Sequence, residues 1–77
     1  MPGTALSFEQ RAHRRAFGEN VGRIRRDRGW TQEDLAERAE LHRSYLASIE
    51  TGVRNPSLDV IVRLAKGLRV PVAELFA

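Results

Sequence analysis

The chain has 77 residues and a mass of 8.7 kDa, which leaves room for one domain, because a chain this short cannot divide its core in two. A multi-step enzyme is therefore not expected. Its 13 basic and 10 acidic residues give a net charge of +3, with Lys66 the only lysine. Arginine forks suit phosphate and guanine, but this charge alone is weak evidence for a nucleic-acid partner. The absence of cysteine excludes disulfides, thiolate zinc sites and cysteine nucleophiles.

Neither a membrane span nor a secretory signal is predicted. No apolar run approaches the roughly 20 residues that cross a bilayer, and the N-terminus lacks a signal-peptide core. We therefore expect a soluble, cytoplasmic protein. The apolar residues recur at helical spacing, which predicts the all-α class, with residues 1–6 frayed and residues 7–77 forming a single domain.

The first helix is predicted from a capping-box pattern, in which Ser7 is followed three residues later by Gln10. It extends to about Arg28 and stops at a glycine. Gly18 and Gly22 lie inside it, and each costs about 1 kcal/mol relative to alanine. They mark either close packing against another element or a break in the helix.

Two short helices follow. Thr31 is a good N-cap for the second helix, which carries acidic residues in its first turn and ends near Ala39. After a turn over residues 40–42, the third helix begins at Arg43 and ends near Thr51. Two helices joined by so short a turn are typical of a helix-turn-helix unit.

Two more helices complete a five-helix prediction. Ser57 caps the fourth helix, and Pro71 begins a short fifth one that continues through Phe76. The fourth helix carries a predicted buried stripe at helical spacing. Its members are Leu58, Ile61, Leu64, Ala65 and Leu68.

The outward face of the third helix is the most informative feature. Leu46 and Ile49 are predicted to point inward. The opposite face consists of Arg43, Ser44, Ala47, Ser48 and Thr51. An ordinary solvated face would carry long Glu and Lys side chains. A face of short residues led by one arginine lets a helix approach base edges in the major groove.

Four segments together resemble the phage-repressor-like (XRE-type) helix-turn-helix family. They are T-Q-E-D-L-A at 31–36, L-H-R-S-Y-L at 41–46, I-E at 49–50 and R-N-P-S at 54–57. The similarity covers about residues 17–76, and the run from 41 to 55 looks most like the controller proteins of restriction-modification systems. The resemblance implies a five-helix, lambda-repressor-like domain that regulates transcription as a homodimer on an inverted-repeat operator.

The resemblance also implies roles for single residues. Gln32 would bind a phosphate at the start of the second helix, Arg43 and Ser44 would read bases, and Tyr45 would either meet the DNA backbone or belong to the half-buried core. Arg54 and Asn55 would touch DNA, and the alternative is a simple polar turn in which Asn55 tolerates a left-handed backbone before Pro56. The expected DNA-binding set is Thr31, Gln32, His42, Arg43, Ser44, Tyr45, Ser48, Thr51, Arg54 and Asn55.

Two further implications concern structure. Arg25 and Glu50 match a partly buried ion pair that joins the first helix to the end of the third. Glu40 stands at the first turn position, where the family usually has glycine or sometimes asparagine. The turn is therefore expected to be either strained by a left-handed residue or built slightly differently.

A two-fold interface is expected near the C-terminus, because the segment is more apolar than one domain can hide. Its members are Val70, Val72, Leu75 and Phe76. The alternative is that all four close the monomer core. A dimer would place its reading helices about 34 Å apart.

An antitoxin-like module that binds both DNA and a partner protein remains the second function hypothesis. The chain ends at Ala77 without the extra tail typical of that class, so we favour the regulator. His13 and His42 lie far apart, and metal-ligand spacings, acid pairs and Gly-rich phosphate loops are missing. We therefore expect no catalytic, metal or cofactor site and no small-molecule ligand.

Overall fold

The computed structural model describes residues 7–77, and within that range it contains four α-helices and no strand. The elements are α1 (Phe8–Asp27), α2 (Gln32–Ala39), α3 (Arg43–Glu50), α4 (Leu58–Leu68) and a C-terminal 3₁₀ helix (Val72–Phe76). The all-α class is confirmed. The prediction of fraying at 1–6 lies outside the described residues. No helix within residues 7–77 is both long and apolar enough to cross a membrane.

The fifth α-helix was wrongly predicted. The segment after Pro71 is a 3₁₀ helix of five residues, and the amide of Glu74 donates to the carbonyl of Pro71 at 3.0 Å. So short a segment ends before a ladder of i to i+4 bonds can build up, and the tighter turn satisfies its first carbonyl instead.

Side-chain caps fix where the first two helices begin. The Ser7 hydroxyl accepts from the amide of Gln10 at 3.0 Å, and the Gln10 side chain accepts from the amide of Ser7 at 2.9 Å. Thr31 and Asp34 form the same reciprocal pair at the start of α2, at 3.1 and 2.8 Å. The hydrogen bond from the Thr31 backbone, followed by that from its side chain, lowers the pKa of Asp34.

One apolar core joins all five elements. Its buried members are Phe17, Val21, Ile24, Leu35, Ala36, Ala39, Leu46, Ile49, Leu64, Ala65, Leu68 and Leu75. The predicted stripe of α4 is wrong at Leu58, which is 72% exposed because it is the first residue of α4 and projects from an exposed first turn. The stripe is half-buried at Ile61 and fully buried only from Leu64.

Gly18 and Gly22 mark close packing rather than a break, since α1 is continuous across both. A Cβ atom at Gly18 would lie 2.7 Å from the carbonyl oxygen of Glu50. At Gly22 the nearest groups are instead side-chain ends, with the Glu50 carboxylate 3.2 Å away. The backbones of α1 and α3 can therefore approach only because these positions lack a side chain.

Candidate DNA-binding surface

The turn between α2 and α3 depends on a left-handed residue. Glu40 has φ 58° and ψ 48°, and the next amide, that of Leu41, donates to the carbonyl of Ala36 at 2.8 Å. His42 then occupies the N-cap position of α3 without a side-chain hydrogen bond to the helix. Glu40 therefore adopts, at the turn position where the family usually has glycine, the left-handed conformation that glycine would accept without strain.

The two faces of α3 differ in burial as predicted, but the outward face is less exposed than expected. Leu46 and Ile49 are fully buried, whereas Arg43, Ser44 and Thr51 are exposed. Ala47 and Ser48 are half-buried, which makes the exposed face narrower than the sequence pattern indicated. A narrow face of short side chains still leaves the helix backbone accessible to a groove.

Both hydroxyl groups near the end of α3 donate to its own backbone. The hydroxyl of Ser48 donates to the carbonyl of Tyr45 at 2.6 Å, and that of Thr51 donates to the carbonyl of Ser48 at 3.2 Å. Their remaining lone pairs can only accept. Ser48 and Thr51 would thus favour a donor group, such as the exocyclic amine of adenine or cytosine.

Arg43 lies at the amino end of α3, and its side chain forms no hydrogen bond or ion pair with residues 7–77. It lines an open cleft together with Arg25, Thr31, Gln32 and Glu33. The start of α2 and the start of α3 therefore share one side of the molecule. The fold brings the expected phosphate-binding residue and the expected base-reading residue together.

Gln32 is more engaged with the protein than the sequence suggested. It is half-buried, and its side-chain amide donates to Oε1 of Glu50 at 3.1 Å. One amide hydrogen is thereby used inside the protein, while the second hydrogen and the carbonyl oxygen remain for other partners.

Arg25 and Glu50 form the ion pair that the resemblance implied. Nε of Arg25 is 2.8 Å from Oε2 of Glu50, and Nη2 is 3.0 Å from Oε1. Nη1 of the same arginine donates to the carbonyl of Trp30 at 2.8 Å. The guanidinium is therefore bound on three sides, which suits a structural role rather than contact with a ligand.

The loop after α3 carries the remaining expected contacts. Tyr45 is half-buried against the core, and the Arg54 guanidinium lies 5.9 Å from its ring. Arg54 and Asn55 are both exposed. The left-handed backbone expected in the polar-turn alternative is absent at Asn55, because Glu40 and Arg69 are the only non-glycine residues of the described chain with positive φ. The DNA contact and the simple polar turn both stay predictions.

The expected interface residues divide between core and surface. Leu75 is fully buried within the monomer, so its inclusion in the interface set is wrong: it has no surface to offer a partner. Val70 is half-buried against the same core. Val72 is 37% exposed and Phe76 is 60% exposed, although the Phe76 ring also lies 5.1 Å from that of Phe17.

Sequence reasoning missed the approach of α1 to the loop that follows α3. A Cβ atom on Gly52 would lie 2.9 Å from Cα of Arg15, and Arg14 shares a pocket with Asn55 and Pro56. The available signal was the basic run R-A-H-R-R at 11–15, which precedes the segment that carries the family motifs.

Residues 21–75 match the helix-turn-helix family. The chain is 43% identical over 60 residues to the control protein C.BamHI of Bacillus amyloliquefaciens. The aligned segment covers 77% of this chain and 74% of that protein. It is 40% identical over 62 residues to the uncharacterized HTH-type transcriptional regulator y4dJ of Sinorhizobium fredii, with 80% of each chain covered. Each relative is spanned over more than two thirds of its own length.

Solved structures agree with these matches. The restriction-modification controller protein C.AhdI from Aeromonas hydrophila superimposes with a TM-score of 0.83 at 40% identity, covering 84% of this chain and 98% of that one. The predicted resemblance to controller proteins is therefore confirmed. The chain belongs to the XRE-type helix-turn-helix family of transcriptional regulators.

Proposed function

We propose that this protein binds DNA sequence-specifically as a homodimer, reads an inverted-repeat operator and acts as a controller of a restriction-modification system. The observation that carries the proposal is the unpaired Arg43 at the head of an exposed, short-chained face of α3. A partly buried ion pair between Arg25 and Glu50 holds that helix against α1. A cationic fork on a fixed, narrow helix face matches what the major groove admits.

Base reading rests on the amino-terminal half of α3. A bidentate contact from Arg43 to O6 and N7 of guanine is worth about 1–3 kcal/mol of discrimination against other bases. Ser44 is exposed beside it, and Ser48 offers acceptor lone pairs one turn further along. Together they favour a guanine next to a base that presents a donor.

Register is set by contacts to phosphate. The first amides of α2 point out of the helix end, where an anion is favoured, and Thr31 and Gln32 lie beside the Arg43 cleft. The exposed side chains of His42, Arg54 and Asn55 lie at the two ends of α3. Such contacts position the protein but carry no sequence information directly.

The dimer proposal rests on the exposed parts of Val72 and Phe76. A two-fold interface uses the same patch on both protomers, so each exposed apolar side chain contributes its buried surface twice. The controller role rests on the similarity to C.BamHI and C.AhdI.

Selection of bound duplexes from random-sequence DNA at two salt concentrations tests the proposal. We expect an enriched inverted repeat, and we expect Arg43→Ala to reduce the preference for that duplex over a scrambled one by about 10-fold or more. Arg23→Ala, on an exposed arginine paired with Asp27, is the matched control. An unchanged preference in Arg43→Ala would overturn base reading by α3. A stable partner chain that co-purifies and binds the same DNA would favour the antitoxin-like alternative.

A further inference from the structure

The amino-terminal half of α1 extends beyond the part of the chain that the family match covers. That match begins at residue 21, whereas α1 begins at Phe8. Most side chains of residues 8–16 are exposed, so this half of the helix contributes little to the core. Its composition is basic, with Arg11, His13, Arg14 and Arg15 between Glu9 and Glu19.

Two of these arginines lie beside the loop that follows α3. The backbone of Arg15 is so close to Gly52 that a Cβ atom there would lie 2.9 Å from Cα of Arg15. Arg14 lines a shallow pocket with Asn55 and Pro56. Arg14 and Arg15 therefore flank the loop that carries the expected DNA contacts Arg54 and Asn55.

Helix geometry places both arginines toward α3 rather than away from it. Gly18 faces the end of α3. At about 100° per residue, Arg14 and Arg15 lie within about 60° of Gly18 around the α1 axis, on opposite sides of it. His13 lies about 140° from Gly18 around the same axis, but it also lines the pocket that Arg14 shares with Asn55 and Pro56. The two arginines therefore continue the surface of α3 and its loop.

The charges of these two arginines are available to a ligand. The side chains of Arg14 and Arg15 form no hydrogen bond or ion pair within residues 7–77, although Glu19 stands one turn from Arg15. Two uncompensated guanidinium groups beside a DNA-facing loop are complementary to a phosphate backbone, and arginine binds phosphate with a fork of donors.

We propose that Arg14 and Arg15 bind the phosphate backbone of DNA flanking the segment read by α3, so that the amino-terminal half of α1 is an auxiliary phosphate-binding arm. The inference rests on the proposed reading of DNA by α3 and extends the contacted length of each half-site. Because phosphate contacts do not depend on sequence, the arm adds affinity and salt dependence without changing which duplex is preferred.

The test compares Arg14→Gln/Arg15→Gln with the control Arg23→Gln/Lys66→Gln, which removes the same charge from exposed positions outside α3 and its neighbouring loops. The probe is the duplex enriched from random DNA, and affinity is measured from about 50 to 200 mM salt. Each lost phosphate contact lowers the slope of log K against log salt by about 0.9. We expect the double variant to reduce the magnitude of this slope by about 2 per bound protomer. Its affinity would then fall roughly tenfold less than that of the wild type across this salt range. The control should keep the wild-type slope.

Other outcomes separate the inference from the function on which it rests. The cognate-to-scrambled ratio should remain at the wild-type value in Arg14→Gln/Arg15→Gln, whereas Arg43→Ala lowers it. Thermal unfolding should match that of the wild type, since neither arginine has a partner to lose. A double variant with the slope of its control would overturn the arm while leaving base reading intact. A wild-type chain that prefers no duplex would overturn the proposed function itself.

Discussion

Arg25 and Glu50 meet through two parallel contacts of 2.8 and 3.0 Å, one from each of two guanidinium nitrogens. Their side chains are only 11% and 8% exposed. The pair joins the last turn of α1 to the last residue of α3, so it connects two positions that lie 25 residues apart in the sequence. Bidentate geometry and low exposure make it unlike an ordinary surface pair.

Removing either partner should destabilise the protein strongly. We expect Arg25→Ala or Glu50→Ala to cost about 3–5 kcal/mol, because the remaining charge is left without its partner in a poorly solvated place. Thermal unfolding and DNA affinity measure the effect. Arg23→Ala breaks an exposed pair with Asp27 and should cost less than about 1 kcal/mol. Unchanged melting and affinity in the Arg25 or Glu50 variant would contradict the structural role.

Glu40→Gly should stabilise the protein by about 1 kcal/mol without loss of DNA binding, since Glu40 is held at φ 58°. Arg69→Gly should act in the same direction, because Arg69 has φ 60°. The reverse control is Gly29→Ala at φ 74°, where a new Cβ atom meets nothing within 4 Å, so only the backbone strain is measured. A lower melting temperature for Glu40→Gly would mean that the carboxylate or its stem stabilises the turn.

Gly18→Ala should destabilise the protein by about 3 kcal/mol, the upper part of the range for overpacking. Its Cβ atom would meet the backbone carbonyl of Glu50 at 2.7 Å, and a backbone group cannot swing aside. Gly22→Ala should be milder, because its neighbours are the ends of the Arg26 and Glu50 side chains. Chemical denaturation of both variants gives the comparison; equal costs would show that α1 can shift away from α3.

Asp34→Asn tests the cap of α2 as a function of pH. The pKa of Asp34 is lowered below its ordinary 3.8 by its hydrogen bonds to Thr31. Its charged form therefore stabilises the fold fully above pH 3.8, and this contribution is lost as the pH falls through the lowered value. Wild type should be the more stable protein at pH 7 and converge with Asp34→Asn in acid. A constant difference down to pH 2, or the same convergence in Glu37→Gln, would argue against the cap as the cause.

Val72→Glu should weaken self-association by about 100-fold or more, because a charge enters the proposed interface once from each protomer. Sedimentation without DNA measures the dissociation constant. Val53→Glu is the control, since Val53 is 67% exposed in the loop after α3 and lies outside that interface. A monomeric wild type at micromolar concentration with cognate DNA would refute the dimer.

The sequence predicted those features that depend on short stretches of chain. Ser7, Thr31 and Ser57 cap helices because each cap is a contact between residues three apart. Helical periodicity likewise predicted that Leu46 and Ile49 are buried. The resemblance added one contact that local patterns do not reveal, the pair between Arg25 and Glu50.

Features that depend on packing in three dimensions were less predictable. Periodicity predicts which face of α4 is apolar, but it cannot show that the first turn at Leu58 projects beyond the core. Leu75 and Phe76 are adjacent and both apolar, yet only Leu75 is buried, because a 3₁₀ helix directs neighbouring side chains differently. The position of Arg15 beside Gly52 follows from how α1 crosses α3, which no local pattern specifies.

The carboxylate of Glu50 holds bonds from two other helices, from Arg25 on α1 and from Gln32 on α2. Any rotation of α3 about its own axis would strain both hydrogen-bonded connections at once. The close contact of the α3 backbone with Gly18 also prevents α3 from sliding along α1. The angle at which the side chains of α3 are presented is thus set by the fold itself. If the protein reads two half-sites as proposed, differences between their bases would be accommodated by the rotamers of Arg43 and by bending of the duplex, not by rearrangement of the helices.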